Sequence, residues 1–338
     1  MIANLISDTV TKPSAAMLEA MMRAEVGDDV FREDPTVNAL ETKAADLFGM
    51  EAALFCPSGT MTNQIAIKAH TQPLDEVICD NLSHIYRAEV GGYAFHSGVS
   101  VALLAGENGL LTAEQVTSAI KPVFDWLPRS RLVVLENTAN MAGGGYYDLA
   151  EIRRIRAVCD AHGLSLHLDG ARIFNALVET GETPREFGEV FDSISICLSK
   201  GLGAPVGSLL LGQRAFITQA RRIRKVMGGG MRQAGFLAAA GIFALDNNVH
   251  RLKEDHRRAA EIATTLWGIS FVTNIRPVKT NIIIFDVEAP QTALGFVEQL
   301  RQRGVLASAF GPQTIRMVTH LDVSAAQLAH VCEVLRGF

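Results

Sequence analysis

A chain of 338 residues with 48% apolar and 20% charged side chains has the makeup of a folded globular protein, and its length suggests two domains. Its 31 Lys+Arg against 36 Asp+Glu give a formal net charge of −5 at pH 7, which argues against nucleic-acid partners. No apolar stretch approaches the ~20 residues that span a bilayer, and the first residues lack a basic and apolar leader, so neither membrane segment nor signal peptide is expected.

The segment to about Asp34 is too short for a domain and is expected to pack as an arm. From about Val37 to Phe243, short aliphatic runs alternate with amphipathic stretches. The strand candidates are Glu76 to Cys79, Ser100 to Leu104, Leu132 to Leu135, Ser165 to Leu168, Ser193 to Leu198 and Val206 to Leu211. Leu149 to His162 reads as a helix ended by Gly163, in the position where glycine is favoured. This alternation predicts an α/β domain around a mostly parallel sheet. A long helical pattern, Met231 to Leu266, then leads into a smaller α+β region. There Asn281 to Val287 and Thr314 to Val318 read as strands, Thr292 to Arg303 and Ala325 to Gly337 as helices. The expected division is 1–245, arm and large domain, and 246–338, small domain.

Five cysteines, an odd number with no C-x-x-C pair, suit a reducing cytoplasm and supply neither a disulfide nor a zinc framework. No metal site is expected. The 29 glycines cluster, and the clusters lie where strands end and helices begin.

Ligands of open α/β sheets bind beyond the carboxyl ends of the strands. Those ends carry Asp169-Gly170-Ala171-Arg172, Ser199-Lys200-Gly201-Leu202-Gly203 and Glu136-Asn137-Thr138. A lysine in a loop is usually a solvated surface residue. Lys200, however, leaves a buried strand, a setting that favours imine formation. An aspartate at the end of a neighbouring strand completes the pair that pyridoxal 5′-phosphate (PLP) needs: an imine-forming lysine and a carboxylate facing the pyridine nitrogen. Without Lys200, Asp169 would read as a turn residue. Pro57-Ser58-Gly59-Thr60 opens onto a helix whose N–H groups and dipole suit a phosphate, although the same residues also make an ordinary N-cap. Gly228-Gly229-Gly230-Met231-Arg232 is a second glycine-rich helix entry, this one with a guanidinium. Neither loop matches a nucleotide-binding pattern, which disfavours an NAD-linked enzyme. His84 follows another strand, and a lone histidine is more often structural; in a PLP site its ring could stack on the pyridine.

Together these segments resemble the L-threonine aldolases, fold-type-I PLP enzymes of the β-eliminating lyase superfamily. The resemblance is carried, in order, by Ser7 to Thr11, Glu25 to Val30, Glu33 to Asn38, Pro57 to Met61, Leu168 to Asn175 and Leu198 to Ser208. Gly228 to Gly235, Thr280-Asn281 and Ile315 to His320 complete it. It implies a mostly parallel seven-stranded sheet in the large domain and a small α+β C-terminal domain. It further implies that Lys200 holds PLP, that Asp169 pairs with the pyridine nitrogen and that His84 stacks on the ring. Gly59 and Thr60 would hold the phosphate, helped by Arg232 from a neighbouring subunit of a homotetramer. Arg172 would face both cofactor and substrate, and Ser7 and Arg316 would bind the substrate carboxylate.

Three positions depart from the family pattern: Ala139 and Trp126 stand where histidines are common, and Phe31 where a tyrosine is usual. They bear on side-chain recognition and threo/erythro preference, not on the cofactor. The activity implied is aldol cleavage of L-threonine or L-allo-threonine to glycine and acetaldehyde. The alternatives are another PLP activity (β-eliminating lyase, racemase or aminotransferase) and a non-catalytic PLP or amino-acid binding protein.

Overall fold

The computed structural model describes all 338 residues. Seven strands form the large sheet: β1 (Ala52–Cys56), β2 (Asp75–Asp80), β3 (Ser100–Leu104), β4 (Arg129–Glu136), β5 (Ser165–Gly170), β6 (Ser193–Cys197) and β7 (Ser208–Gly212). Their order is β1-β7-β6-β5-β4-β2-β3, and only β7 runs antiparallel to its neighbours. The mostly parallel α/β sheet is as expected. All residues of β2, β6 and β7 are buried, the continuous burial of a sheet covered on both faces.

Every strand expected from sequence lies within three residues of its observed bounds, the largest offset being the start of β4 at Arg129 rather than Leu132, and β1 is the one strand of this sheet the reading missed. Its Ala-Ala-Leu-Phe-Cys run holds no β-branched residue, so its pairing with β7 rather than local propensity makes it a strand. Helix α1 (Gly59–His70) follows β1, and α2 (Leu149–His162) ends at Gly163 in the left-handed conformation, φ 65°. Helix α3 (Ile173–Thr180) follows β5 after the turn that carries Arg172.

The single long helix expected from Met231 to Leu266 is two: α4 (Gly235–Asn247) and α5 (Leu252–Leu266). The break falls at Asn248, whose side-chain N–H donates to the Leu202 carbonyl at 2.7 Å instead of facing solvent along a continuous helix. Beyond α5 an antiparallel sheet forms in the order β10-β11-β9-β8, from β8 (Val272–Thr273), β9 (Ile282–Val287), β10 (Ser308–Ala309) and β11 (Thr314–Val318). It packs with α6 (Ala293–Gln302) and α7 (Ala325–Arg336). One apolar core surrounds the large sheet and a second this smaller one. The arm joins the second: Ala3 and Leu5 are buried in it, and Ala3-Asn4 pairs parallel with Val305-Leu306. The arm thereby crosses from the small sheet to the mouth of the large one.

Candidate active site

The carboxyl ends of β2, β4, β5 and β6 deliver His84, Glu136, Asp169 and Lys200 to one end of the large sheet. In the register of β5 and β6, Asp169 stands opposite Ser195, and Lys200 leaves β6 three residues beyond its end. The arm secures that exit, because the Thr11 hydroxyl donates to the Lys200 carbonyl at 2.9 Å.

Asp169 is buried and held from two sides. Its Oδ1 accepts the Ala171 N–H at 3.1 Å and its Oδ2 accepts the side-chain N–H of Asn63, on α1, at 2.8 Å. His84 lies next to it, with Nδ1 2.8 Å from Glu89 Oε1. A ring nitrogen of His84 and one carboxylate oxygen each of Glu89 and Asp169 all lie within 4.8 Å of one another. The hydrogen bond to Glu89 raises the imidazole pKa more than burial lowers it, and Asp169 and Glu136 add to the rise. Buried Glu136 accepts two backbone N–H groups, from His84 at 2.6 Å and Asn140 at 2.8 Å. Burial and the nearby Asp169 push its carboxyl well above the usual carboxylate range.

The N-terminus of α1 is a built cradle for an anion. The Ser58 side chain caps Met61 N–H, while the N–H groups of Gly59 and Thr60 donate to nothing within the chain. The hydroxyl of Ser208, buried and without a partner, stands 3.6 Å from where a Cβ on Gly59 would be. Two free N–H groups, an orphaned hydroxyl and a helix N-terminus suit a phosphate. With the Lys200 amine and the Asp169 carboxylate at the same sheet end, the residues present fit PLP.

A second polar centre binds the arm to both sheets. Arg172 is buried and forms a two-point pair with Asp8, Nε to Oδ2 at 2.8 Å and Nη2 to Oδ1 at 2.7 Å. Arg316, on β11, donates from Nη2 to Asn140 Oδ1 at 2.7 Å, and Arg172 Nη1 donates to the same oxygen at 3.3 Å. Two guanidiniums thus converge on one neutral acceptor, which leaves net positive charge there. Burial and repulsion from Arg172 lower the Arg316 pKa to about 10, so it still carries its charge at neutral pH. Ser7 caps the short turn Asp8–Val10, and the carbonyl of Ile6 accepts from Arg316 Nη1 at 3.5 Å.

Of the residues singled out from sequence, Lys200, His84, Asp169, Arg172, Gly59, Thr60, Ser7 and Arg316 lie around this mouth. Arg232 does not join them within one chain; it is largely exposed and pairs with Asp28 at 2.7 Å. The sequence reading passed over Asp8, Asn63, Glu89, Asn140 and Ser208 as site residues. Asp8, Asn140 and Ser208 sit in or beside motifs already quoted, whereas Glu89 carries no local signal at all. Trp126 is exposed and stacks on Phe124 at 4.7 Å between ring centroids, and Ala139 is buried without a polar side chain.

Residues 4–290 match the family model of the β-eliminating lyases. The chain is 46% identical over 337 residues to the low specificity L-threonine aldolase of Escherichia coli K12, covering 99% of this chain and 98% of that one. It is 42% identical to a probable low-specificity L-threonine aldolase 2 of Arabidopsis thaliana, covering 97% and 94%. Among solved structures, the threonine aldolase of Leishmania major superposes with a TM-score of 0.86 at 22% identity, covering 99% and 98%.

Proposed function

The chain belongs to the β-eliminating lyases and, among them, to the L-threonine aldolases, and from that premise we propose that it cleaves L-threonine and L-allo-threonine to glycine and acetaldehyde. Related β-hydroxy-α-amino acids would give glycine and the corresponding aldehyde. Lys200 would hold PLP through its amine, Gly59 and Thr60 its phosphate, and Asp169 its pyridine nitrogen, with the His84 ring stacked on its face. When bound, that cofactor supplies the electron sink that accepts the pair released when the Cα–Cβ bond breaks.

Arg316, Arg172 and Ser7 would bind the α-carboxylate, and the observation that carries this assignment is the convergence of both guanidiniums on Asn140 Oδ1. A carboxylate there accepts charge-assisted bonds from two directions and is fixed in orientation. That fixes which bond of Cα is presented for cleavage. His84 Nε2, which has no partner within the chain, would take the β-hydroxyl proton as the aldehyde leaves. Cα then gains a proton to complete glycine. Ala139 has no group for that proton, and Trp126 has no basic nitrogen.

We further propose a homotetramer in which Arg232 reaches a neighbouring subunit's phosphate cradle; the exposure of Arg232 and Phe31 supports it. Five buried, unpaired cysteines support a reducing cytoplasm. Two apolar cores support a large and a small domain with the arm crossing between them. Leu252 still packs in the first core and Ala259 in the second, so the cores part a few residues beyond the proposed division at 245 and 246. Release of aldehyde and glycine from L-threonine, L-allo-threonine and L-phenylserine, assayed in parallel, tests the activity. No glycine from any of them overturns it, and Lys200→Ala should abolish both the yellow colour of bound PLP and turnover.

A further inference from the structure

Three donors converge on the carboxylate of Glu89. Its side chain is wholly buried. Oε1 accepts from Asn63 Nδ2 at 2.9 Å and lies 2.8 Å from His84 Nδ1, while Oε2 accepts from Gln64 Nε2 at 2.5 Å. Asn63 uses its other N–H on Asp169, so one carboxamide spans both carboxylates. A carboxylate only accepts hydrogen bonds, so the imidazole nitrogen facing it must be the donor. The proton on His84 is thereby placed on Nδ1, and Nε2 is left as the one nitrogen open to exchange.

We propose that Glu89 is a positioning residue that fixes the tautomer and orientation of His84, itself held immobile by the amides of Asn63 and Gln64. It needs no contact with substrate to do so. The amide clamp also sets how strongly Glu89 attracts the Nδ1 proton, because each donor shares its negative charge. The other charged groups facing the imidazole are Asp169 on β5 and Glu136 on β4, and neither hydrogen-bonds its ring. The proposal rests on the site reading above but not on which group takes the substrate's proton.

The test uses the holoenzyme labelled with 13C at histidine Cε1, with the His84 resonance identified by its absence in His84→Phe. Glu89→Gln keeps the shape and removes the charge, so the His84 midpoint moves to lower pH. With His84 as the base proposed above, the acidic limb of kcat/KM moves with it, and kcat falls roughly tenfold while KM changes little. Gln64→Met removes one donor, leaves more charge on Glu89, and moves the midpoint the opposite way. Opposite shifts from two buried neighbours are not what a merely structural role produces. A His84 resonance that titrates alike in wild type and both variants overturns the proposal. Should His84→Phe keep the wild-type cleavage rate while Glu89→Gln shifts the resonance, the positioning role stands and the base assignment falls.

Discussion

Arg172 and Asp8 form a buried two-point ion pair, 2.8 and 2.7 Å, between the turn after β5 and the N-terminal arm. The side-chain N–H of Asn281, beside β9, approaches the same carboxylate at 3.3 Å, so one aspartate joins both sheets and the arm. Removing one partner of a buried pair strands the other charge. Asp8→Ala should therefore cost about 3–5 kcal/mol of unfolding free energy in denaturant titrations, and Asp8→Asn less. Burial alone would raise the Asp8 pKa, but Arg172 holds it well below the usual carboxylate range. A depressed folded pKa gives stability that is complete above the unfolded value of about 3.9 and is lost as pH falls through the folded one. The stability difference between wild type and Asp8→Asn should be flat above about pH 5 and shrink in stronger acid.

Arg316 should act mainly on substrate binding. Its replacement by alanine would remove one arm of the proposed carboxylate clamp, worth roughly 1.5–3 kcal/mol for a charged hydrogen bond. Steady-state kinetics with L-threonine should show KM raised about ten- to a hundredfold, with Arg316→Lys restoring only part, since an ammonium cannot reproduce the planar fork. An unchanged KM would remove Arg316 from the substrate site.

The phosphate cradle separates folding from cofactor binding. A methyl group on Gly59 meets only Ser208 Oγ, at an ordinary 3.6 Å, and it would intrude on the phosphate in the proposed cradle. Gly59→Ala should leave thermal unfolding of the cofactor-free protein nearly unchanged and weaken PLP about tenfold by fluorescence titration. Ser208→Ala should behave alike, because its buried hydroxyl has no partner to lose.

Glu136 carries no assigned chemistry, yet it ties the backbones of His84 and Asn140 together. Glu136→Gln turns an N–H toward one of those donors. The expected cost is about 1–3 kcal/mol in unfolding free energy, together with a raised KM, as both the imidazole and the shared acceptor of the arginines shift. Wild-type stability and KM would contradict the clamp.

Much of this molecule is legible along the chain. Strands such as Ser100–Leu104 and Thr314–Val318 match their sequence-read bounds, and Leu149–His162 ends at its glycine as read. In these segments local pattern and tertiary burial agree. Where they disagree, the reading failed: β1 has helix-like composition but pairs with β7, and Asn248 breaks an apparently continuous helix to reach Leu202.

The same boundary runs through the site. Lys200, Asp169 and the Gly59 turn were recognisable because a strand exit or a helix entry is a local event, written within a few consecutive residues. Asn63, Asp8 and Asn140 were not, because each acts through a partner distant in sequence. Glu89, although only five residues from His84, sits in no motif and is held by Asn63 and Gln64 from α1. Asn63 bonds residues 26 and 106 positions away, and Asp8 one 164 away. Sequence by itself determined the α/β class, the resemblance and the residues proposed to hold PLP. Only the tertiary structure decided which nitrogen of His84 is free and that Arg172 and Arg316 share an acceptor. Those facts depend on hydrogen-bond direction and burial, which exist only once the chain has closed on itself.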